Sequence, residues 1–296
     1  MRLVARAPGK VNLCLLLGPV RDDGRHEVAT LIESVSLADE LELVVSDGPG
    51  DEVVCPGVSG PNIVSRALTG LRARGWEAPP VRVTIDKRIP VAAGMGGGSA
   101  DAAAVLRMAP VVARAALSEA TVAQLSAELG TDVPSAIQPG LSMGTGGGEV
   151  VEHVSPLAPH AFVIVPQPHF LFTADVYREA DRLGLPRAVG SFEAAAAELT
   201  LAVRPDDRLA SGSIVNDLAP AAVSLCPPVA DALQAVSEAG ADRALVCGSG
   251  PTVAGLFWGE DGSERAGSAA ASLTRRYPRT SAAMPVGQEF GTPVRN

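Results

Sequence analysis

Residue types and spacings that could do chemistry gather in a few short stretches of this 296-residue chain, the densest being PVAAGMGGGSADAAA from Pro90 to Ala104. Its glycines, Gly94, Gly96, Gly97 and Gly98, follow a β-branched run at Val81 to Ile85 and precede an alanine-rich helical pattern that opens at Ser99. Glycines at a strand-to-helix turn suit phosphate. Without a Cβ the backbone reaches positive φ and approaches an anion closely, while the free N–H groups and dipole of the next helix point at it. The same cluster also reads as a flexible loop and no more. Two well-known phosphate loops fail on spacing. No lysine follows the glycines as in a Walker loop, and no short helix, strand and acidic residue follow as in a dinucleotide fold.

Other candidates lie far from this loop in sequence. Lys10 and Asn12 open the strand pattern Val11 to Leu17 two residues apart, so their side chains share one face. Asp132, in GTDVP, either caps a short helix with Pro134 in its first turn or offers a carboxylate that takes a proton there. RDDGRHE, from Arg21 to Glu27, is crowded with ionisable groups and also reads as a solvated turn. Asn62 is a ready N-cap for a helix over Ile63 to Arg74, and needs no other role.

The elements that must position these residues follow from periodicity and from glycine and proline punctuation. Strands are expected at Leu3 to Ala7 and Val11 to Leu17, broken at Pro8-Gly9, then at Leu31 to Leu37, Leu41 to Val45 and Val81 to Ile85. The helix from Ser99 runs to Ala116, another spans Glu119 to Leu129, and Gly140 to Gly148 reads as a glycine-rich turn before a strand at Val150 to Val154. From about Pro156 the texture changes. Strands at Phe162 to Pro166, Ala244 to Cys247, Thr252 to Trp258 and Ala282 to Val286 are separated by helices near Thr173 to Leu183, Phe192 to Val203, Ile214 to Leu225, Pro228 to Ala239 and Ser263 to Arg276. This order suggests an antiparallel sheet with helices on one side, in an α+β chain of two domains, residues 1–155 and 156–296.

Composition narrows the partners. The chain is 47% hydrophobic with mean hydropathy +0.22, and its net charge of −9 comes without a Lys/Arg cluster. That disfavours nucleic acid and membrane surfaces and leaves room for small anions held locally. Cys14, Cys55, Cys226 and Cys247 are far apart, with no metal-ligand spacing, and His26, His153, His160 and His169 form no ligand pair. The basic N-terminus precedes an apolar run at Leu13 to Leu17 that is short and lacks a small-residue cleavage site. A cytoplasmic enzyme, monomer or homodimer, is the expectation.

Taken together, PGKVNL at Pro8 to Leu13, GMGGGSADAAA at Gly94 to Ala104 and CGSGPT at Cys247 to Thr252 resemble the GHMP small-molecule kinase superfamily. DG-x-HE at Asp23 to Glu27, IDKRIP at Ile85 to Pro90, LGTDVP at Leu129 to Pro134, GTGGGE at Gly144 to Glu149 and NDL at Asn216 to Leu218 narrow the likeness. They point to the subfamily that phosphorylates a cytidyl sugar alcohol on the non-mevalonate route to isoprenoids. The resemblance implies a ribosomal-S5-domain-2-like N-terminal half and a ferredoxin-like C-terminal half, with ATP and acceptor meeting between them. It implies Lys10 and Asp132 as the catalytic pair and Gly94, Gly96, Gly97, Gly98 and Ser99 around the ATP phosphates, with Ser99 near Mg²⁺. Asn62 and Lys87 fall near the adenine, and Asn12, Arg25, His26, Thr173 and Tyr177 on the acceptor.

Such a pair suits the reaction. Phosphoryl transfer to an alcohol needs an oriented nucleophile and neutralised equatorial oxygens, with little covalent work for the protein. The chain departs from the subfamily's pattern on the acceptor side, with Arg25 in place of a tyrosine, Ser135 in place of a phenylalanine and Gln138-Pro139-Gly140 in place of a more glycine-rich turn. Met108 to Leu117 also lacks the usual Asn-aromatic-Leu features. Two other functions therefore stay open: a superfamily kinase acting on a different alcohol, and a non-catalytic nucleotide-binding regulator that kept the fold.

Overall fold

In the computed structural model, which describes residues 1–58, 60–113 and 117–295, two sheets carry the chain. Strands β1 (Arg2–Val20) and β2 (His26–Val45) pair antiparallel over most of their length. The break expected at Pro8-Gly9 is absent. The strand continues and its pairing register shifts there, because a proline without N–H and a glycine without a side chain are accommodated by a bulge. Further shifts at Asn12/Cys14 and Leu17/Val20 re-aim the strand along its length. Leu3, Ala5 and Ala7 join one core cluster, Val11 and Leu13 a second, Leu15 and Leu17 a third. Lys10 and Asn12 remain on one face, as expected.

The rest of the first half builds on β2. Strand β3 (Glu52–Val54), which alternation over three residues is too short to reveal, lies parallel to β4 (Val81–Asp86), with α1 (Ile63–Ala73) between them in sequence. Helices α2 (Gly97–Val112), α3 (Glu119–Leu129) and α4 (Val133–Ile137) follow. The expected continuation of α2 to Ala116 stops short: the helix ends at Val112, and residues 114–116 lie outside the described residues. Gly140 to Gly148 is not all turn. Its first part is β5 (Leu141–Thr145), which pairs with Thr30 to Glu33 of β2 and with β6 (Val150–His153). On the edge away from β1, long β2 thus serves two neighbours, β5 at one end and β4, along Glu40 to Val45, at the other.

In the second half, β7 (His160–Val165) leads to α5 (Thr173–Arg182), α6 (Val189–Ala202), α7 (Ala219–Leu225) and α8 (Pro228–Glu238). Strands β8 (Arg243–Val246) and β9 (Val253–Trp258), helix α9 (Gly262–Leu273) and strand β10 (Ser281–Ala283) complete a four-stranded antiparallel sheet in the order β10-β7-β9-β8. Helices α8 and α9 cover one face of it, where Val236 and Leu273 meet Val163 and Phe257. The other face, with Phe162, Ile164 and Leu256, packs on Val11, Leu13 and Leu31 of the first half. Strand β11 (Val294–Arg295) then returns to β1. The helix expected from Ile214 begins only at Ala219. Residues before it run extended against β1, with the Leu15 amide donating to Val215 at 2.8 Å and the Asp217 amide to Leu15 at 2.9 Å. Tertiary pairing overrides local helical preference there.

Arg107 pins the site's scaffold. Its guanidinium donates to the carbonyls of Gly291 at 3.0 Å, Ala136 at 2.5 Å and Arg6 at 2.8 Å, tying α2 to the tail, α4 and β1. Arg107→Met leaves three carbonyls without that donor. A loss of about 2–4 kcal/mol is expected in urea unfolding, at roughly 1 kcal/mol per bond.

Candidate active site

A cavity of about 490 Å³ opens between the halves, walled by the glycine loop, Lys10 and Asp132 from the first half and by Leu171 to Thr173, Tyr177, Gly248 and Ser249 from the second. The loop geometry is set by two glycines at positive φ, Gly94 at 77° and Gly96 at 68°. Gly96 caps α2 without a side-chain bond, so the amides of Gly97, Gly98 and Ser99 open the helix with no intrahelical partner. These N–H groups line the cavity and offer an anion cradle. A Cβ at Gly94 would run into the Cys247 carbonyl, and one at Gly248, itself at φ 53°, would lie 2.7 Å from Lys10 Nζ and 2.9 Å from the Gly94 carbonyl. The glycine loops of the two halves therefore close on each other around the lysine.

Lys10 is held from several sides. Its amide donates to the Met95 carbonyl at 2.9 Å, its Nζ donates to Asn12 Oδ1 at 2.7 Å, and Asp132 Oδ2 lies 3.7 Å from the ammonium. Asn12 Nδ2 donates to Thr30 Oγ1 at 2.8 Å, and that hydroxyl donates to the Cys14 carbonyl at 2.7 Å, so a buried chain fixes the lysine's rotamer. Asp132 occupies the N-cap position of α4, yet its side chain makes no capping bond and is 39% exposed. The carboxylate is thus free of a capping role and faces the Lys10 ammonium. Ser135 Oγ donates to the Asp132 carbonyl at 3.0 Å, which gives the residue in place of the expected phenylalanine a positioning contact. A cation and a free carboxylate beside an anion cradle can align a hydroxyl, take its proton and stabilise charge on a transferring group.

At the end of the cavity formed by Cys55, Asn62 and Ile63, Asn62 Oδ1 accepts from the Val64 amide at 2.8 Å as the N-cap of α1. Lys87 belongs to a buried cluster that sequence reasoning missed. Its ammonium bonds Asp39 and, at 2.8 Å, Asp101 of α2, and it lies 3.3 Å from where a Gly97 Cβ would stand. Asp39 also accepts from the amides of Arg88 at 2.6 Å and Ile89 at 2.7 Å, so it clamps the entry to the loop. Burial opposes the charge on Lys87, but Asp101 and Asp39 outweigh it and hold the ammonium above its ordinary range. Burial pushes the Asp101 carboxyl up to about 7, against the pull of Lys87.

An acid whose pKa is raised on folding binds more protons folded than unfolded. Its contribution is full below the unfolded value near 4 and is lost as pH rises through about 7. Asp101→Asn is therefore expected to remove a fall in stability between about pH 4 and pH 7 that the native chain shows in urea titrations. A parallel pH dependence in both proteins would contradict this.

On the remaining wall, Thr173 Oγ1 and Ser249 Oγ lie 3.1 Å apart and Tyr177 faces inward. Burial, with the charge of Asp132 adding, pushes the Tyr177 hydroxyl up to about 12, so it stays a donor. Two residues expected here stand back from the wall. His26 is buried behind Tyr177, ring centroids 5.6 Å apart, with Nδ1 donating to the Gly18 carbonyl at 2.9 Å and Nε2 3.0 Å from Asp181. Arg25 is bound by Asp23 at 2.8 Å and Glu149 at 3.3 Å, with its guanidinium against Gly147 at the rim. Thr30, Thr131 and Phe172 also line the cavity; Thr131 stands inside the LGTDVP motif beside Asp132, and no motif points to Thr30 or Phe172. Phe172 is 70% exposed beside Thr173, but with Phe170 and Leu171 before it nothing in the sequence sets it apart from an ordinary apolar run.

The geometry has counterparts. Residues 62–140 match the family model of the GHMP kinases N terminal domain and residues 197–278 that of the GHMP kinases C terminal. The 4-diphosphocytidyl-2-C-methyl-D-erythritol kinase of Streptomyces avermitilis is 38% identical over 278 residues, covering 89% of this chain and 91% of the relative. The enzyme of the same name from Mycobacterium tuberculosis is 41% identical over 267 residues, covering 86% and 81%. A crystal structure of 4-(cytidine 5'-diphospho)-2C-methyl-D-erythritol kinase superposes with TM-score 0.73 at 30% identity, over 96% of this chain and 100% of that one. A putative homoserine kinase from Listeria monocytogenes, at TM-score 0.67 and 19% identity over 100% of both chains, shares the fold. This chain belongs to the GHMP kinase family of ATP-dependent small-molecule kinases, and within it to the 4-diphosphocytidyl-2-C-methyl-D-erythritol kinases.

Proposed function

We propose that the chain transfers the γ-phosphoryl group of ATP to a hydroxyl of 4-diphosphocytidyl-2-C-methyl-D-erythritol. The observation that carries this is the convergence at Gly96, where a Cβ would lie 3.1 Å from Lys10 Cγ and 3.6 Å from Asp132 Oδ2. The anion cradle, the cation and the carboxylate occupy one small volume. In this reading the amides of Gly97, Gly98 and Ser99 hold the ATP phosphates, with Asn62 and Lys87 at the adenine end. Lys10 orients the acceptor hydroxyl and neutralises charge on the transferring oxygens. Asp132 accepts the hydroxyl proton as the new P–O bond forms and the bond to ADP breaks. Asn12 fixes Lys10 and, with Thr173 and Tyr177, lines the acceptor side; His26 acts through Tyr177.

Among the described residues no group of three or more His, Cys, Asp or Glu side chains is placed to hold a metal ion. That fits Mg²⁺, which usually arrives on nucleotide phosphates with few protein ligands. The Ser99 hydroxyl, on the cavity wall, would hold it, and it would supply charge neutralisation at the phosphates. A cytoplasmic location accords with the charge and composition, and no helix among the described residues is long and apolar enough to cross a membrane.

ADP release in the presence of ATP and Mg²⁺ tests the assignment, with the cytidyl alcohol and homoserine as contrasting acceptors. Turnover with the first and none with the second is expected; the reverse sinks the reading. Arg25 bears on the acceptor too. Because Asp23 and Glu149 already occupy its guanidinium at the rim, Arg25→Tyr should change kcat/KM on the cytidyl alcohol by about 1 kcal/mol or less. A much larger loss would mean that Arg25 leaves those carboxylates to grip the acceptor.

A further inference from the structure

Glu33 and His160 form a buried pair that phosphoryl transfer does not use. Glu33 on β2 is 4% exposed and His160, the first residue of β7, is 6% exposed, so the pair joins the two halves. Glu33 Oε2 and His160 Nε2 lie 3.6 Å apart, and neither atom has a hydrogen-bond partner. The histidine is fixed in orientation by Phe162 and Trp258, with ring centroids 5.2 and 4.9 Å away. Its Nδ1 donates to the Ala158 carbonyl at 2.8 Å, and a carbonyl can only accept. Nε2 is therefore the ring atom left facing the carboxylate oxygen, and at 3.6 Å the two make no hydrogen bond to each other. Two buried polar atoms that face each other without a hydrogen bond are costly unless a third group sits between them.

Both residues line a second cavity of about 280 Å³, separate from the catalytic one. Pro156, Leu157, Pro159, Met284 and Pro285 make its walls apolar, Glu260 adds a carboxylate, and no lysine or arginine lines it. The nearby Arg208 guanidinium lies against Gly259, outside the lining. A metal ion suits this site poorly, since only two ligating side chains are buried together and three or more are nowhere gathered among the described residues. The volume is several times that of one water molecule, about 30 Å³.

We propose that this cavity is a second binding site, for a small organic cation: a protonated amine with a short hydrocarbon body, its N–H groups donating to Glu33 Oε2 and His160 Nε2. The apolar walls take the hydrocarbon and the two acceptors take the ammonium. Burial pushes the Glu33 carboxyl above its usual range, a cost that a bound cation relieves. The site also touches the reaction centre through one strand. Thr30 and Ile32, close to Glu33 on β2, line the catalytic cavity, and Ser34 pairs with Lys10.

Calorimetry on the full chain tests this with n-butylammonium as probe, n-butanol as an uncharged counterpart and butyrate as an anionic one. Butylammonium should bind in preference to both and should lose about tenfold or more in affinity to Glu33→Gln, the worth of one charge-assisted hydrogen bond. In the native chain the Met284 methyl resonance should shift with butylammonium, and saturating ATP should not reverse the shift. The Met284 reading needs no variant and so decides the matter even if Glu33→Gln fails to fold. No binding of butylammonium, equal binding to Glu33→Gln, or an unmoved Met284 methyl overturns the proposal. A pair that merely shares a proton or a water would give the first of these.

Discussion

Replacing Asp132 with asparagine is expected to lower kcat by about 10²–10⁴-fold while leaving the dissociation constant for ATP nearly unchanged. Asparagine keeps the shape and removes the proton acceptor. No structural role competes for the carboxylate, since it forms no capping bond to α4 and its charged partner Lys10 stands 3.7 Å away. Stability should therefore hold within about 0.5 kcal/mol. Turnover and equilibrium nucleotide binding, measured on the same preparation, separate the roles. A collapse of ATP affinity with kcat intact would move Asp132 from the acceptor to the nucleotide, and the proposed proton transfer would go with it.

Gly94→Ala should do comparable damage by a different route. Gly94 holds φ at 77°, a region that costs a residue with a Cβ about 1–2 kcal/mol. The added methyl would also drive into the Cys247 carbonyl and approach the Gly250 amide nitrogen within 2.8 Å. Both obstacles are backbone, so neither can swing aside. Either the loops of the two halves part or the α2 cradle tilts, at about 2–5 kcal/mol of stability, with ATP affinity falling in parallel. Gly97, further along the loop, differs. A Cβ there would meet the Ile89 side chain at 3.0 Å and Lys87 Nζ at 3.3 Å, which can yield in part. Thermal unfolding and nucleotide titration of Gly94→Ala check this, and wild-type values for both would show that the two loops do not depend on each other.

Much of the site is legible in the sequence where chemistry and local geometry coincide. The glycine cluster between a strand pattern and a helix pattern marks the anion cradle, and the spacing of Lys10 and Asn12 places both on one face. What escapes is set by contacts distant in the chain. Lys87 meets Asp39 from 48 residues away and Asp101 from 14, so its role as a clamp beneath the loop has no local signature. Strand β5 hides inside a glycine-rich run because Gly144 is small for close approach, with Thr30 Cγ2 3.1 Å from where its Cβ would be. The late start of α7 reflects pairing of the preceding residues with Leu15, which outweighs local propensity. The motif around Arg25 implies an acceptor contact, yet Asp23, two residues before it, and Glu149, on the adjacent turn, hold it at the rim.

If the cradle, Lys10 and Asp132 act together on one acceptor hydroxyl, phosphorus NMR of the native protein turning over ATP, Mg²⁺ and 4-diphosphocytidyl-2-C-methyl-D-erythritol will show it without any variant. A new phosphomonoester resonance should grow in step with ADP, with the acceptor's diphosphate signals retained and no inorganic phosphate released. ADP and inorganic phosphate appearing while the cytidyl alcohol stays unmodified would contradict the proposed transfer.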